Sequence, residues 1–241
     1  MNIELVLSPA LYDLRSLRND HATVAVDILR ATSAICAAFM AGASEVLPLD
    51  SLEPLAILKQ NGYIAAAERN GMKIDDAPCG NSPTEYLSMN LHGARIAYST
   101  TNGTVAILRA VDAAKLYIGA FSNISTLADA LAADNTLRDV VILCSGWKGD
   151  PSIEDTLFAG ALICKLKSLT PSLNLVNDAA SMALDLWLMA EEDPMGYCSK
   201  ATHVHRLRRL GVDDDIRWAF RLDTCSLLPV YDRSVSSIRL A

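Results

Sequence analysis

"ATVAVDILRATSAICAAFM", residues 22–40, changes its periodicity in the middle. Its first five residues form an unbroken apolar and β-branched run, which suits a strand covered on both faces, and its alanine-rich second part suits a helix. Between them stand Asp27 and Arg30, with Thr32 and Ser33 placed to cap the helix. A strand that leads straight into a helix opens a βαβ unit. The two charges at the junction need a reason, because a carboxylate that ends an apolar strand is costly to bury without a partner or a metal.

Working outward, "IELVLS" (3–8), "EVLPL" (45–49), "YIAAAE" (63–68), "ARIAYS" (94–99), "KLYIGAF" (115–121) and "DVVILCSG" (139–146) read as further strands, most of them followed by a helical period. This alternation predicts an α/β fold: a mostly parallel or mixed sheet with helices on both faces, in three α/β/α layers. From Asn177 the pattern turns helical through "NDAASMALDLWLMAEED", "PMGYCSKATHVHRLRRLG" and "VDDDIRWAFRL", before a final extended piece. Asp213 to Asp215 suit the start of the third helix, where carboxylates meet the positive end of the dipole. No Ser/Gly-rich linker interrupts residues 1–241, which read as one α/β domain with a helical C-terminal part. Residues 22–55 and 94–127 echo each other at a spacing of about 72 residues. The echo reads either as an internal duplication, with two similar intertwined halves at about 22–90 and 94–170, or as two βαβ units alike by class alone.

The chain carries a formal charge of -7 and 51% hydrophobic residues. With no basic patch, it offers nothing to a nucleic-acid backbone, and the expected partner is a small molecule. Its apolar runs break well short of the ~20 residues of a membrane span, and "MNIELVLSPA" lacks the basic start of a signal peptide, so the expectation is a cytoplasmic protein with no membrane partner. The 6 cysteines contain no C-x-x-C pair and sit mostly in apolar stretches, which suits buried thiols. A homodimer is the expected assembly, the commonest for soluble cytoplasmic proteins.

In a doubly wound sheet, ligands collect at the carboxyl ends of strands. Five such ends are unusually polar here: 27–33, 68–71, 79–83, 99–104 and 145–155. Asp27 offers hard oxygens to Mg2+, and Arg30 can hold a phosphate or carboxylate bidentately; alternatively the two form a local pair that stiffens the loop. Glu68 and Arg69 repeat the pairing. "STTNGT" supplies Ser99, Thr100, Thr101, Asn102, Gly103 and Thr104, either as an anion cradle of hydroxyls and backbone N–H groups or as a plain capped turn. Ser82 adds a hydroxyl from the third turn. Lys148 lies in a Gly-bounded loop, and Glu154 and Asp155 either orient Mg2+ and water or simply favour the helix N-terminus that they open. Asp223 is a further acid near a strand edge. His21, His92, His203 and His205 show no metal spacing and read as satisfied surface residues.

The familiar phosphate machinery is missing. There is no P-loop and no G-x-G-x-x-G, Leu29 stands where a D-x-D phosphatase needs its second acid, and Asp150 stands where a C-x5-R loop that starts at Cys144 needs arginine.

The ordered set "VDILRATSA", "ERNG", "GNSP", "STTNGT" and "SGWKG…IEDTLFAGAL" resembles the 2-phosphosulfolactate phosphatase family. The resemblance covers roughly residues 22–165 and continues weakly to "RLDTCSLLPV". It implies an α/β/α fold of duplicated character and a Mg2+-dependent hydrolase that converts (2R)-2-phospho-3-sulfolactate to (2R)-3-sulfolactate and phosphate, a step of coenzyme M biosynthesis. Such a substrate carries phosphate, carboxylate and sulfonate, so an acidic protein has to gather Arg30, Arg69 and Lys148 locally. Asp27 and Glu68 are then the first metal ligands and Glu154 and Asp155 the next, with Asp27, Arg30 and Glu68 as the catalytic set. Attack by water is favoured over a phospho-enzyme on Asp27 or Ser99. The alternatives are a non-catalytic anion-binding module and a Mg2+-dependent enzyme, lyase or isomerase included, acting on another phosphorylated hydroxy acid.

Overall fold

A computed structural model describes residues 1–12 and 21–241. The strands are β1 (Asn2–Val6), β2 (Ala22–Val26), β3 (Glu45–Pro48), β4 (Tyr63–Arg69), β5 (Met72–Lys73), β6 (Arg95–Ser99), β7 (Lys115–Gly119), β8 (Asp139–Cys144), β9 (Asn174–Leu175), β10 (Pro229–Asp232) and β11 (Ser237–Leu240). The helices are α1 (Pro9–Tyr12), α2 (Ala31–Met40), α3 (Leu55–Gln60), α4 (Pro83–Leu87), α5 (Gly103–Arg109), α6 (Ile124–Ala133), α7 (Ile153–Leu169), α8 (Asp178–Ala190), α9 (Pro194–Tyr197), α10 (Thr202–Arg209) and α11 (Asp213–Ala219). All seven strands expected from the sequence are present.

The sheet has the order β5-β4-β6-β3-β11-β10-β7-β2-β8-β1-β9. It is mixed. β4, β6 and β3 are parallel to one another, as are β7, β2, β8, β1 and β9, and the antiparallel hairpin β10–β11 joins the two sets. Each joint rests on one bridging pair, Val230 with Tyr117 and Ile238 with Val46. The final extended piece of the sequence is thus the hairpin at the centre of the sheet. From β4 to β8 the order reads alike from both ends: β2 lies beside β7 where β6 lies beside β3. The unit β2–α2–β3 leaves one set for the other, and β6–α5–β7 makes the reverse crossing, as intertwined halves would.

Every residue of β2 is buried, which explains its continuous apolar run. Alternate residues go to opposite faces: Val24, Val26, Val140 and Ile142 join a core with α6, α7 and α8, whereas Ala25, Val141 and Leu143 join one with α2 and α5. Helices therefore cover both faces, giving the three layers. Phe121 anchors the C-terminal helices, with its ring 5.4 Å from Phe158 on α7, 6.0 Å from Trp187 on α8 and 5.5 Å from Phe220 just after α11. Such pairs add about 0.5–1.5 kcal/mol each beyond burial. At the α7–α8 crossing a β-carbon on Gly160 would stand 1.9 Å from the Ala183 carbonyl oxygen, so only glycine allows the approach. Among the described residues all six cysteines are free, and no helix is long and apolar enough to cross a membrane.

Candidate active site

The loop after β2 is folded by its own hydroxyls. Thr32 Oγ1 accepts the Asp27 N–H at 3.1 Å and donates to the Asp27 carbonyl at 3.0 Å, and Ser33 Oγ donates to the Ile28 carbonyl at 2.9 Å. These side chains fasten the loop and do not cap α2, whose N-cap residue is Arg30. Asp155 secures the same loop from across the sheet. It accepts the Ile28 N–H at 2.9 Å, the Gly146 N–H at 3.1 Å and the Ser145 hydroxyl at 3.2 Å, which ties the loop after β2 to the loop after β8. The Asp27 carboxyl is left buried, and burial pushes its pKa up to about 6. His203 and the Ala31 N–H oppose the rise, whereas Glu68 and Glu154 add to it.

Glu68 is the penultimate residue of β4, as Asp27 is the first residue after β2. Its carboxylate accepts the Gly71 N–H, the Thr101 hydroxyl at 3.2 Å and the Thr101 N–H at 3.4 Å, so it joins the turn 68–71 to the turn after β6. Arg69 donates to the Glu68 carbonyl at 2.7 Å and to Ser99 Oγ at 2.9 Å, stitching β4 to β6. Thr100 and Thr104 satisfy each other: each hydroxyl accepts the other's N–H, at 3.1 and 3.2 Å. Half of "STTNGT" is therefore a capped turn, and Thr101 and Asn102 remain to face outward.

The ends of β2, β4, β6 and β8 and the face of α10 enclose one cleft of about 400 Å³, its open mouth included. Asp27, Arg30, Glu68, Thr101, Asn102 and Lys148, all expected from the sequence, line it together. Arg69, Ser82, Ser99, Thr100, Gly103, Thr104, Glu154 and Asp155 are not among its lining residues; most support it from behind through the bonds described here. Ser82 is the N-cap of α4, accepting the Glu85 N–H at 3.1 Å, and its hydroxyl goes to Asp215 at 2.7 Å. Asp223 lies elsewhere, accepting the Ser125 hydroxyl at 2.6 Å at the start of α6.

Among the described residues three cations border the cleft. Arg30 is buried, with one N–H on Asp215 at 2.7 Å and another on the Gly71 carbonyl at 2.7 Å. Lys148 is exposed with its ammonium 5.0 Å from the Trp147 ring centre, and Arg206 reaches the Asn70 carbonyl. Neither Arg206 nor His203 is a site candidate of the sequence, which reads His203 as a surface residue. His203 is buried rather than superficial: Nδ1 bonds Glu154 Oε1 at 2.8 Å, and the ring stacks on Trp147 at 5.9 Å. His21 is likewise buried, bonded to the Tyr12 hydroxyl, while His92 and His205 are exposed as expected. The available signal was the spacing of His203, Arg206 and Leu207, which puts all three on one face of α10.

Among the described residues no three His, Cys, Asp or Glu side chains gather into a metal centre. The four expected ligands divide. Asp27 and Glu68 face the cleft, whereas Glu154 spends Oε1 on His203 and buries Oε2 without a partner, and Asp155 spends both oxygens on the loops. Two carboxylates on one cleft fit Mg2+, which binds through one or two protein carboxylates and completes its octahedron with water and phosphate oxygens. Glu68 and Glu154 both raise the pKa of Asp27, a repulsion that a divalent cation held there would relieve.

A family model described as 2-phosphosulpholactate phosphatase matches residues 7–234. Three proteins named probable 2-phosphosulfolactate phosphatase are similar over most of their lengths. One from Caldanaerobacter subterraneus subsp. tengcongensis is 34% identical over 210 residues, 86% of each chain. One from Prochlorococcus marinus is 38% identical over 213 residues, 86% of this chain and 87% of that one. One from Clostridium tetani is 34% identical over 240 residues, 98% of this chain and 99% of that one.

Proposed function

The chain belongs to the 2-phosphosulfolactate phosphatase family, and from that premise we propose that it hydrolyses (2R)-2-phospho-3-sulfolactate to (2R)-3-sulfolactate and phosphate, with Mg2+ as cofactor. The observation that carries this reading is the meeting of Asp27 and Glu68, from two different strand ends, with Arg30, Lys148 and Arg206 on one cleft. A small molecule with three anionic groups needs that pairing of carboxylates for a metal with cations for its remaining charge.

Asp27 and Glu68 would hold Mg2+, which would supply charge neutralisation at the phosphoryl group and activation of the attacking water. Arg30 supplies N–H donors to the phosphoryl group as charge builds on its oxygens, where fixed donors contribute most to rate. Lys148 and Arg206, at the Trp147 side of the cleft, attract the carboxylate and sulfonate. Hydrolysis forms a bond from water oxygen to phosphorus and breaks the bond from phosphorus to the C2 oxygen, which takes up a proton to become the sulfolactate hydroxyl. Water attack is favoured over a covalent route through Ser99, whose hydroxyl accepts from Arg69 and is not among the cleft-lining groups. The same reading assigns the step to coenzyme M biosynthesis in the cytoplasm. For the proposed homodimer, α8 offers an apolar surface, with Met182, Leu188 and Met189 exposed.

The test is release of inorganic phosphate from the substrate with Mg2+ and with EDTA, for the wild type and for Asp27→Asn and Glu68→Gln. Turnover confined to the wild type with Mg2+ supports the reading. Undiminished turnover in EDTA removes the metal from it, and protein whose melting temperature rises with phosphate while it hydrolyses nothing is an anion-binding module instead.

A further inference from the structure

We infer that Asp215 is the positioning residue that fixes the Arg30 guanidinium in the cleft, so that α11 completes a site otherwise built from the strand ends. The inference rests on the phosphatase reading for what Arg30 does, and on geometry for what Asp215 does.

In sequence Asp215 is the third acid of "VDDD" and looks like its neighbours. In the structure Asp213 and Asp214 are the solvated acids of the helix start, and Asp215 is 2% exposed. It lies 185 positions from Arg30, yet its Oδ2 accepts an Arg30 Nη1 hydrogen at 2.7 Å. Its Oδ1 accepts the Thr84 hydroxyl at 2.6 Å and the Ser82 hydroxyl at 2.7 Å, with the Thr84 N–H at 3.4 Å. One oxygen is therefore anchored to the start of α4 while the other holds the guanidinium, and the carboxylate has no freedom to follow Arg30 if it moves.

A guanidinium has five N–H donors in a rigid fork. Asp215 and the Gly71 carbonyl take one each, and the other three have no partner among the described residues. Arg30 also borders an adjoining cavity of about 1010 Å³, its open mouth included, bounded by Lys73, Ser82, Thr84 and Leu210. Shape alone does not keep the side chain on the Asp27 side. Without Asp215 the guanidinium would be a buried charge held by one neutral carbonyl, with room to turn away from the phosphoryl group.

The test is a double-mutant cycle on kcat/KM for phosphate release from 2-phospho-3-sulfolactate with Mg2+, using Asp215→Asn, Arg30→Ala and the pair together, with a melting curve for each. Each single change is expected to lower kcat/KM by about 10²-fold, the scale of a misplaced catalytic group, and the double variant to be no slower than Arg30→Ala. A merely structural Asp215 predicts losses that multiply, and that result overturns the inference. If Asp215→Asn does not fold, Thr84→Val and Ser82→Ala loosen the anchor; they should slow the wild type and leave Arg30→Ala unchanged, and slowing both equally overturns the inference. If the wild type does not turn over this substrate, the phosphatase reading fails by itself. Inorganic phosphate then serves as the probe: a rise in melting temperature that both Asp215→Asn and Arg30→Ala abolish supports the inference, and a rise that Asp215→Asn retains, or no rise in the wild type, overturns it.

Discussion

A β-carbon on Gly103 would stand 2.6 Å from Asp27 Oδ2 and 2.3 Å from the Ala31 β-carbon. The turns after β2 and β6, which belong to oppositely running strand sets, therefore touch at the acid that ends the first of them. Only a residue with no side chain lets α5 begin there. Gly103→Ala is expected to push Asp27 out of line and to destabilise the fold by about 1–3 kcal/mol, the usual cost of overpacking. Urea unfolding measures the second effect and phosphate release the first. A Gly103→Ala protein of normal activity would show that the position of Asp27 does not matter.

What the sequence discloses and what it hides follow from the range of the interactions. β2 and β8 are legible because burial on both faces demands unbroken apolar runs, and Asp27 and Glu68 are legible as charges that interrupt them. The central hairpin is not, since "PVYD" and "SIRL" are short and only their neighbours make them interior. Asp155 looks like a helix-dipole acid, and its real task depends on Ile28, 127 positions away. His203 and Arg206 sit in a helix whose basic composition equally describes a solvated surface, and nothing local records that one face of it closes the cleft.

His203 and Glu154 form a buried pair in which the second carboxylate oxygen has no partner. Removing the ring should leave an uncompensated buried acid. His203→Ala is expected to lose about 1–3 kcal/mol in denaturant unfolding, the cost of leaving a buried polar group without its partner, and Glu154→Gln in that background should not add a second loss of the same size. Additive losses in the two variants would mean that the pair has no coupling.

Lys148 is exposed and makes no ion pair among the described residues, so its charge is free to attract an anion. Lys148→Ala is expected to leave stability within about 0.5 kcal/mol of the wild type. KM should rise several-fold at low salt, and the difference from the wild type should shrink as ionic strength screens the attraction. A KM effect independent of salt would point to packing on Trp147 instead.

The raised pKa of Asp27 makes metal-free stability fall as the pH rises. Its folded value is about 6, against about 3.9 for an unperturbed aspartate, so between those values the folded protein holds a proton that the unfolded chain has lost. By linkage, stability decreases through that window and levels off above roughly pH 6, where both states carry the charge; the contribution is fully favourable only below roughly pH 4. In EDTA, the wild-type unfolding free energy minus that of Asp27→Asn should therefore drop between pH 4 and 6, by order of 3 kcal/mol for a two-unit shift. With Mg2+ held as proposed the effect should be opposite, because the ion would bind the ionised carboxylate: the stabilisation it adds should be small below pH 5 and grow through pH 6 in the wild type, and should be reduced throughout in Asp27→Asn. A difference curve that is flat in EDTA would mean that the Asp27 carboxyl is better solvated than its burial indicates. A Mg2+ effect of the same size at pH 5 and pH 7 would mean that the ion binds somewhere other than on Asp27.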